Sequence, residues 1–445
     1  TIVMEVHTGE ILAMVNLGRN ADGSFAEREN YALGRSMEPG STFKLATMLT
    51  LLDDARMPVS MVYDTHNGDP VTVGPARNIR DSHRGDREID FRRAVASSSN
   101  VYFAKAIWDR YGSTGRKQEY SDFLHKELHL GQTVGLERLG ERKPSVTTDW
   151  KVPDPGVMLV KMSYGYRVRL APIQMITFYN AIANNGTMVR PKFVKAAVKD
   201  GEVVHEFPTE VINPKICSDH TLTQIREILH KVVSEGLAKP AGSKQFAVAG
   251  KTGTAQISQG AAGYKAGRVN YLVSFCGYFP AEAPKYSCIV SIQKPGLPAS
   301  GGLMAGSVFS KIAERVYAKN LRFDIRSAID STTNVIPTVK AGEMNEALYV
   351  LDALDVPVQK QFEAKKGQEL WGHSQAAPSA VILQNQKSSA GIVPSVVGMG
   401  AKDAVYLLER KGLRVRLNGV GKVRSQSIPG GSRLVRGQTI SLTLH

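Results

Sequence analysis

Apolar residues cluster at the start of the chain and again around position 250, in short runs typical of β-strands. Thr1–Glu5 and Ile11–Asn16 are strand candidates, and the His-Thr-Gly-Glu stretch between them is typical of a hairpin turn. Three further candidates are Phe246–Ala249, Tyr271–Phe279 and Tyr286–Gln293. The loops that join them are rich in Gly, Ala and Pro, so an antiparallel meander is the simplest arrangement.

Helical periodicity fills much of the sequence between these two groups of strands. Pro39-Gly40 interrupts the chain, and the segment from Ser41 to Asp53 then carries apolar residues at helical spacing. Further helix candidates are Val101–Tyr111, Met175–Ala183 and Ser307–Tyr317. Two strands, several helices, three strands and a closing helix predict an α+β fold, with one antiparallel sheet flanked by helices.

Beyond about residue 325 the chain repeats itself. Pro394 lies 57 positions after Pro337, and Ala404 lies 57 positions after Ala347 in a matching apolar segment. An equal offset at two places indicates a duplicated unit. Each copy has the pattern of a short strand, an amphipathic helix and further strands, so each can bury one helix face on its own small sheet. The predicted domains are 1–325, 334–390 and 392–445, the last two packed end to end.

The composition is that of an ordinary globular protein with an excess of basic residues. Of the 445 residues, 42% are hydrophobic and 22% are charged, and the net charge is +15. A basic surface favours an anionic neighbour, such as nucleic acid, lipid headgroups or an anionic polymer. The arginines from Arg77 to Arg93 alternate with acidic residues, which predicts a mixed, solvated surface. No nucleic-acid motif is present, and no nucleic-acid partner is expected.

The three cysteines are too few for a disulfide scaffold and lack metal-ligand spacing. Cys276 and Cys288 lie on neighbouring predicted strands. If residues 280–285 form the turn, the two are diagonal to one another, so two buried thiols are favoured over a disulfide. No metal ion or cofactor is expected.

Ser41 and Lys44 form the first chemical candidate. Both lie in the first turn of a predicted helix, three residues apart and therefore on one face. A serine hydroxyl becomes a good nucleophile when a neighbouring base takes its proton, and a lysine serves as that base if burial or nearby cations lower its pKa. The helix start adds N–H groups that can stabilise an oxyanion. Alone, the pair is also typical of ordinary helix starts.

Two further segments strengthen this interpretation. Ser98-Ser99-Asn100 precedes a predicted helix and offers a hydroxyl and an amide, although it is equally typical of a helix N-cap. Lys251-Thr252-Gly253-Thr254 follows a predicted strand and offers a cation, two hydroxyls and a glycine that permits close backbone approach. A strand with these groups suits a peptide that docks as an added strand. Together with Ser-x-x-Lys, they form the set found in penicillin-recognising serine enzymes.

Residues 1 to about 320 therefore resemble the transpeptidase domain of a class B, monofunctional penicillin-binding protein. The stretches Met37–Lys44, Ser98–Val101 and Lys251–Gln256 carry the resemblance. The Glu-Pro-Gly-Ser-Thr lead-in and the Lys-Thr-Gly-Thr-Ala run are most similar to the cell-division member. The two C-terminal copies resemble PASTA domains, which agrees with that choice.

The resemblance implies a role for each residue of the three motifs. Ser41 is the nucleophile that attacks the bond between two D-alanines of a peptidoglycan stem peptide, and Lys44 accepts its proton. The N–H groups of Ser41 and Thr254 form the oxyanion hole. Ser98, with Lys251 nearby, relays a proton to the leaving group, and Asn100 holds the donor's amide. The substrate-binding residues are Thr252, Gly253 and Thr254.

The same resemblance implies partners and a location. Stem peptides, their lipid-linked precursor and β-lactam antibiotics are the expected ligands, with a membrane-embedded glycosyltransferase and division proteins as expected protein partners. The chain starts inside a strand-like run, so we expect one membrane-spanning helix upstream of Thr1 and an extracytoplasmic location for these domains.

Other functions remain open from the sequence. A hydrolase of the same fold, either a D,D-carboxypeptidase or a β-lactamase, would use water in place of the amine, but the Ser-Ser-Asn motif and the lack of a recognisable deacylating carboxylate disfavour it. A non-catalytic β-lactam sensor would not be expected to carry two wall-binding repeats. A pure scaffold is disfavoured by the intact motifs. The repeats themselves could bind the wall or act only as a spacer.

Overall fold

Strand segments from distant parts of the sequence meet in one antiparallel sheet. In the computed structural model of the chain, its strands follow the order Ala249–Gln256, Tyr271–Phe279, Tyr286–Gln293, Ile2–Glu5 and Ile11–Met14. Each neighbouring pair is antiparallel. The predicted five-stranded sheet flanked by helices is thereby confirmed. One of its two outer strands, Ala249–Gln256, is called the edge strand below.

The structure describes residues 1–200, 202–258, 263–264, 269–324, 336–363, 369–377, 379–386 and 389–445. The chain divides into two units, Thr1–Phe323 and Asp324–His445. The predicted boundary between the first two domains, at residues 325–334, lies outside the described residues. Within the described ranges, every helix is too short or too polar to reach across a bilayer.

The prediction of a strand at Phe246–Ala249 is wrong in its position. The strand begins at Ala249 and continues to Gln256, so the Lys-Thr-Gly-Thr motif lies within it and not after it. Phe246 instead packs its ring against Phe279 and Tyr317. Glycine, lysine and threonine make a weak strand signal in the sequence, but pairing along the whole edge strand with Tyr271–Phe279 overrides local preference.

Cys276 and Cys288 are buried free thiols. Cys276 pairs with Ile289, and Gly277 pairs with Cys288, so the two cysteines are offset by one position. Directly paired residues share a face of the sheet, and an offset of one residue places side chains on opposite faces. A disulfide between them is therefore excluded by the register.

The predicted helices are present with shifted bounds. The Ser41–Asp53 segment forms a 3-10 turn at Gly40–Phe43, an α-helix at Lys44–Leu49 and a π turn at Thr50–Asp54. The Gly40–Phe43 turn is called the serine turn below. The second helix is an α-helix at Asn100–Ile107 with a π turn at Trp108–Gly112, and the third is Pro172–Ala183. The third helix starts earlier than predicted because proline at the first position needs no N–H partner.

The remaining elements of the first unit surround this framework. The other α-helices are Tyr31–Gly34, Phe91–Ala96, Lys117–Lys126, Pro155–Met162, Asp219–Ser234 and Ser307–Asp324. Further 3-10 turns are His66–Gly68, Glu137–Leu139 and Lys239–Ala241, and Gly301–Gly306 is a π turn. Short strand pairs are Gly18–Arg19 with Phe25–Ala26, Tyr63–Asp64 with Glu88–Ile89, Val71–Val73 with Ala76–Ile79, Met188–Val189 with Val211–Asn213, and Ala196–Lys199 with Glu202–Glu206.

The core of the first unit lies between the sheet and three helices. Lys44–Leu49, Pro172–Ala183 and Asp219–Ser234 contribute buried residues to one cluster with the sheet. All six residues of Lys44–Leu49 are buried, including the lysine. A helix buried on every side belongs to a core. The lysine at its start is thus carried into the interior by its apolar neighbours.

The two repeated segments have the same order of elements. In the first, the helix Met344–Ala353 is followed by strands Val358–Lys360, Trp371–Ala376 and Val381–Asn385, and Gly342–Glu343 adds a short edge. In the second, the helix Ala401–Arg410 is followed by Arg414–Asn418, Val423–Gln426 and Thr439–Leu444. In both, the strand after the helix pairs in parallel with the last strand. Both helices keep the 57-residue offset.

The second repeated segment has a distinct hydrophobic core around its helix. Leu408 is fully buried among Val396, Ile440 and Leu442. We therefore expect Leu408→Ala to reduce the unfolding free energy of residues 324–445 by about 2–5 kcal/mol, the usual effect of such a truncation in a core. Urea unfolding followed by the fluorescence of Trp371 measures the change.

Val420→Ala is the control for this measurement. Val420 is 85% exposed, and its truncation should change the unfolding free energy by less than about 0.5 kcal/mol. Equal, small effects of both substitutions would mean that the helix does not pack on its sheet.

Candidate active site

Glycine permits the serine turn to pack closely against two neighbours. Gly40 has φ +56°, and a Cβ on it would lie 2.8 Å from the Cβ of Ala255 on the edge strand. Gly165 has φ +86°, and a Cβ there would lie 2.0 Å from the carbonyl oxygen of Gly40. The N–H of Gly40 donates to the Gly165 carbonyl at 3.1 Å. Side chains at these positions would displace Ser41, because both glycines have conformations and contacts that exclude a Cβ.

The Ser-Ser-Asn segment has a strained backbone at its first residue. Ser98 is a buried residue with φ +57°, a left-handed conformation that costs a non-glycine residue about 1–3 kcal/mol. Ser99 then caps the helix Asn100–Ile107, its hydroxyl accepting from the N–H of Tyr102 at 3.1 Å. The predicted helix N-cap is therefore Ser99, and Ser98 and Asn100 are left to make other contacts.

Lys44 meets this segment in the interior of the unit. Its Nζ donates to the Ser98 carbonyl at 2.5 Å and to Asn100 Oδ1 at 2.7 Å, and it lies 3.2 Å from Ser98 Oγ. The amine also lies 5.6 Å from the ring centre of Phe103. These polar partners compensate for part of the cost of taking an amine out of water.

Lys251 approaches the same hydroxyl from the edge strand. Its Nζ donates to Ser98 Oγ at 2.9 Å and lies 3.3 Å from the Thr252 carbonyl. Lys251 and Lys44 are both fully buried. The Ser98 hydroxyl thus stands between two buried amines that belong to different elements of the fold.

Burial lowers the pKa of both amines. Desolvation, together with the nearby Lys251 ammonium, holds the pKa of Lys44 well below its usual range, and the Asp81 carboxylate acts in the opposite direction. Desolvation lowers the pKa of Lys251 to about 7. Two ammonium groups that share one buried serine repel each other, so the loss of a proton from one stabilises the pair. At neutral pH the cluster can both accept and supply a proton.

Ser41 is only partly buried, in contrast to Lys44, which is fully buried. Among the described residues we find no hydrogen bond between the Ser41 hydroxyl and the Lys44 amine, whose contacts are with Ser98 and Asn100. Hydrogen bonds of this kind are often long or poorly aligned without substrate and shorten in its presence. The nucleophile candidate therefore keeps part of its surface open to solvent, unlike the lysine.

Gly253 brings the edge strand against the serine turn. A Cβ on Gly253 would lie 2.5 Å from the Ser274 hydroxyl and 3.1 Å from the Pro39 carbonyl oxygen. The close backbone approach predicted at this glycine is that of Pro39, immediately before the serine turn. Thr252 is buried, whereas Thr254 is exposed and its hydroxyl accepts from the N–H of Gly301 at 3.2 Å.

The free side of the edge strand has N–H groups that point away from the sheet. The N–H of Gln256 donates to the hydroxyl of Tyr166 at 3.0 Å. In an antiparallel pair, residues two apart point their N–H groups in the same direction. The N–H of Thr254 is therefore directed outward like that of Gln256, toward the side on which Tyr166 lies. Ser41 contributes one of the first N–H groups of its turn, which have no partner within a helix.

Asp81 is a contact of the site that the sequence did not reveal. Its Oδ1 accepts from the N–H groups of Asn100 at 2.5 Å and Val101 at 2.9 Å. The neighbouring Arg80 carbonyl accepts from Asn100 Nδ2 at 3.0 Å. Sequence patterns placed Asp81 within a solvated run of mixed charge, and no periodicity links it to Ser98, so no local signal distinguished it from its acidic neighbours.

Glu38 is a second such contact, on the other side of the serine turn. Its carboxylate accepts from the backbone N–H of Arg167 at 2.9 Å and from the Tyr264 hydroxyl at 2.7 Å. The ring of Tyr264 lies 5.6 Å from that of Tyr166. Glu38, three residues before Ser41, is therefore hydrogen-bonded to Arg167 and Tyr264, which lie next to Tyr166 on the free side of the edge strand.

The fold and this site define a class of protein: an α+β domain in which a serine turn, a Ser-Ser-Asn helix start and a Lys-Thr-Gly-Thr edge strand converge. Comparison with known proteins identifies the family. The family described as penicillin binding protein transpeptidase domain matches residues 1–314, and the PASTA domain family matches residues 391–445. The chain belongs to the penicillin-binding protein transpeptidase family and carries a PASTA domain at its C-terminus.

Individual relatives agree with this assignment. The chain is 28% identical, over 70% of its length, to a protein of Neisseria meningitidis serogroup A named as a probable peptidoglycan D,D-transpeptidase, PenA, and covers 50% of that protein. It is also 28% identical, over 70% of its length, to stage V sporulation protein D of Bacillus subtilis, of which it covers 48%. The chain thus spans about half the length of these curated relatives.

A solved structure supports the same fold. The TP domain of penicillin-binding protein 3 from Burkholderia pseudomallei, in its apo form, is 26% identical and superposes with a TM-score of 0.58, over 72% of this chain and 88% of that one. The part of the chain that superposes has about the length of the first unit alone.

The burial of Lys251 predicts an unusual dependence of stability on pH. In the unfolded chain the amine stays protonated up to about pH 10.4, whereas in the folded protein its pKa is about 7. Between these values the unfolded state binds more protons, so stability rises with pH, and the cost of burial is largest below pH 7. Lys251→Met should therefore add stability at low pH, and the gain should shrink as pH rises toward 10.

Urea unfolding of both proteins at a series of pH values measures this gain. Lys199→Met is the matched control, because Lys199 is exposed on a short strand, so its replacement removes no buried amine. A difference between wild type and Lys251→Met that stays constant with pH would show that Lys251 carries no proton-linked burial cost.

Proposed function

We propose that this chain is the catalytic part of a peptidoglycan D,D-transpeptidase that works through a Ser41 acyl-enzyme. The observation that carries the proposal is the pair of buried amines, Lys44 and Lys251, that meet at one serine hydroxyl. Lys44 follows Ser41 by three residues in the same helical segment. The family assignment and the printed name of the Neisseria relative support the same activity.

In the proposed first step, Ser41 Oγ attacks the carbonyl carbon between the two terminal D-alanines of a stem peptide. Its proton passes to Lys44 Nζ, which must be neutral to accept it. The depressed pKa of Lys44 supports this role, since an amine with an ordinary pKa would be protonated at neutral pH. As the C–N bond breaks, the leaving D-alanine nitrogen takes a proton through Ser98, and Lys251 stabilises the hydroxyl during the relay.

The proposed oxyanion hole consists of the N–H groups of Ser41 and Thr254. One belongs to the start of a helical turn and the other to the outer side of the edge strand, and donors fixed in this way need no reorganisation during the reaction. Thr252 and Thr254 then bind the terminal carboxylate of the donor. Gly253 lets the edge strand, along which the donor binds, lie against the serine turn. Asn100 holds the donor's amide.

In the proposed second step, the amine of another stem peptide attacks the acyl carbon. A C–N bond forms, the attacking nitrogen gives up a proton to the lysine cluster, and Ser41 Oγ leaves with a proton returned from it. The product is a crosslink, and the enzyme is regenerated. A β-lactam has the carboxylate and amide of the donor, but its ring-opened acyl group keeps the leaving nitrogen attached, so the acyl-enzyme persists.

The proposed setting is septal wall synthesis at the outer face of a membrane. The Glu-Pro-Gly-Ser-Thr lead-in to Ser41 and the C-terminal repeats support it. An upstream membrane anchor, the lipid-linked precursor, a membrane-embedded glycosyltransferase and division proteins belong to this proposal. The first repeated segment, 334–390, is proposed as a second PASTA domain because it has the element order of the matched one.

Labelled penicillin tests the proposed nucleophile and base together. We expect mass spectrometry to find the label on Ser41, with an adduct that lasts minutes or longer, and Ser41→Ala to abolish labelling. Lys44→Ala should slow acylation by at least ~100-fold, the low end of the contribution of a positioned base. Ser113→Ala, a change at an exposed serine, is the control. A label on another residue would refute the assignment of Ser41.

A chromogenic cephalosporin separates the transpeptidase from a hydrolase of the same fold. We expect a single burst of colour equivalent to the amount of protein, followed by little turnover. The reason is that the site has its acylation groups but, in the described part of the chain, no carboxylate is bonded to Lys44 or Ser98 to activate water. Steady, rapid turnover would instead identify a β-lactamase.

A further inference from the structure

Asp81 is held in place by a turn with an unusual backbone. The N–H of Asp81 donates to the Gly68 carbonyl at 3.0 Å. Gly68 follows His66 and Asn67, and all three have positive φ, 52°, 56° and 83° in chain order. A Cβ on Gly68 would lie 2.8 Å from the His83 carbonyl oxygen and 3.0 Å from the Cβ of Asp81. Left-handed residues in succession are costly outside glycine, so the turn is built to hold this loop closely.

The loop that contains Arg80 and Asp81 holds Asn100 by both its backbone and its side chain. The Asp81 carboxylate accepts the backbone N–H groups of Asn100 and Val101, and the Arg80 carbonyl accepts the side-chain Nδ2 of Asn100. Since Nδ2 must face a carbonyl, Oδ1 is left facing Lys44 Nζ, 2.7 Å away. The orientation of the amide toward the lysine is thus decided by the loop, and not by the helix that carries it.

Asp81 also supplies a negative charge that acts on the buried amine of Lys44. Among the described residues, the charged groups that act on Lys44 are Lys251, from the edge strand, and Asp81, from the loop. The other groups facing Lys44 are the neutral Ser98, Asn100 and Phe103. Two arginines of the same region pair with other carboxylates, Arg84 with Asp69 and Arg87 with Asp64. The Asp81 carboxylate is directed to the helix start, where Oδ1 accepts the N–H groups of Asn100 and Val101.

We propose that Asp81 is a positioning residue of the active site, which orients Asn100 and places a negative charge where it acts on the buried amine of Lys44. This proposal rests on the acylation of Ser41 proposed above. Removal of the charge alone should make Lys44 a weaker base with a still lower pKa. Removal of the carboxylate should in addition free the helix start and the Asn100 amide.

Two variants separate these effects. Asp81→Asn keeps an oxygen that accepts both N–H groups but removes the charge. Because neutral Lys44 is then available at lower pH, the acid limb of the acylation profile should move down by about 0.5–1 pH unit, the size expected for one charge at a partly exposed position. Asp81→Ala removes the acceptor as well, and its acylation should be at least about 10-fold slower than that of Asp81→Asn, since small displacements of catalytic groups are costly.

The measurement is the second-order rate of penicillin acylation between about pH 5.5 and pH 9.5, a range that lies below the ordinary pKa of a lysine. Asp86→Asn is the matched control. Asp86 lies in the same loop region, and its carboxylate pairs with Arg93 on the surface, so its profile should match that of the wild type. Urea unfolding of each variant checks that the fold is retained, and if Asp81→Ala does not fold, Asp81→Asn alone decides.

The outcomes distinguish this proposal from the one it rests on. If wild type is not acylated at Ser41, the proposed function fails. If wild type is acylated but the acid limb of Asp81→Asn does not move, the charge of Asp81 has no role in the site. Equal acylation rates of folded Asp81→Ala and Asp81→Asn would refute its positioning role. A shifted acid limb in Asp81→Asn, together with an unchanged Asp86→Asn profile, supports it.

Discussion

The burial of two lysine amines around one serine hydroxyl is the constraint on which the rest of the first unit depends. Lys44 and Lys251 come from different elements and lie in the interior, where charged amines are unstable without compensation. Their compensation is the carbonyl of Ser98, its hydroxyl and the amide of Asn100. These groups reach the amines only because the helix start, the serine turn and the edge strand are held together.

Close packing at glycines makes that convergence possible. Gly40, Gly165 and Gly253 each occupy a place where a Cβ would meet backbone or side-chain atoms at 2.8 Å or less. Ser98 has a backbone that most residues avoid. These features lower stability locally, and the large apolar core formed by the sheet and its helices offsets them. Strain and buried charge gathered at one place are typical of a functional site.

The free side of the edge strand presents backbone N–H groups of the kind with which a docked peptide strand pairs. The edge strand has an outward N–H at Thr254, and the hydroxyl of Tyr166 occupies the corresponding position at Gln256. Tyr166 therefore limits how far an added strand can pair along the edge. In the proposed function, the donor therefore pairs through its last residues, and its reacting carbonyl is held by the N–H groups of Ser41 and Thr254.

The sequence alone determined the fold class, most elements and the three motifs. Apolar periodicity depends on neighbours a few residues apart, and so it predicted the strands Tyr271–Phe279 and Tyr286–Gln293 and the exact offset of the two repeated helices. It misplaced the strand at Phe246–Ala249, because Lys251–Thr254 is a strand only through pairing with a distant partner. Only the tertiary structure brought Lys251 to Ser98, separated the faces of Cys276 and Cys288, and placed Asp81 at the helix start. Each of these depends on contacts between residues far apart in the chain, which no local pattern encodes.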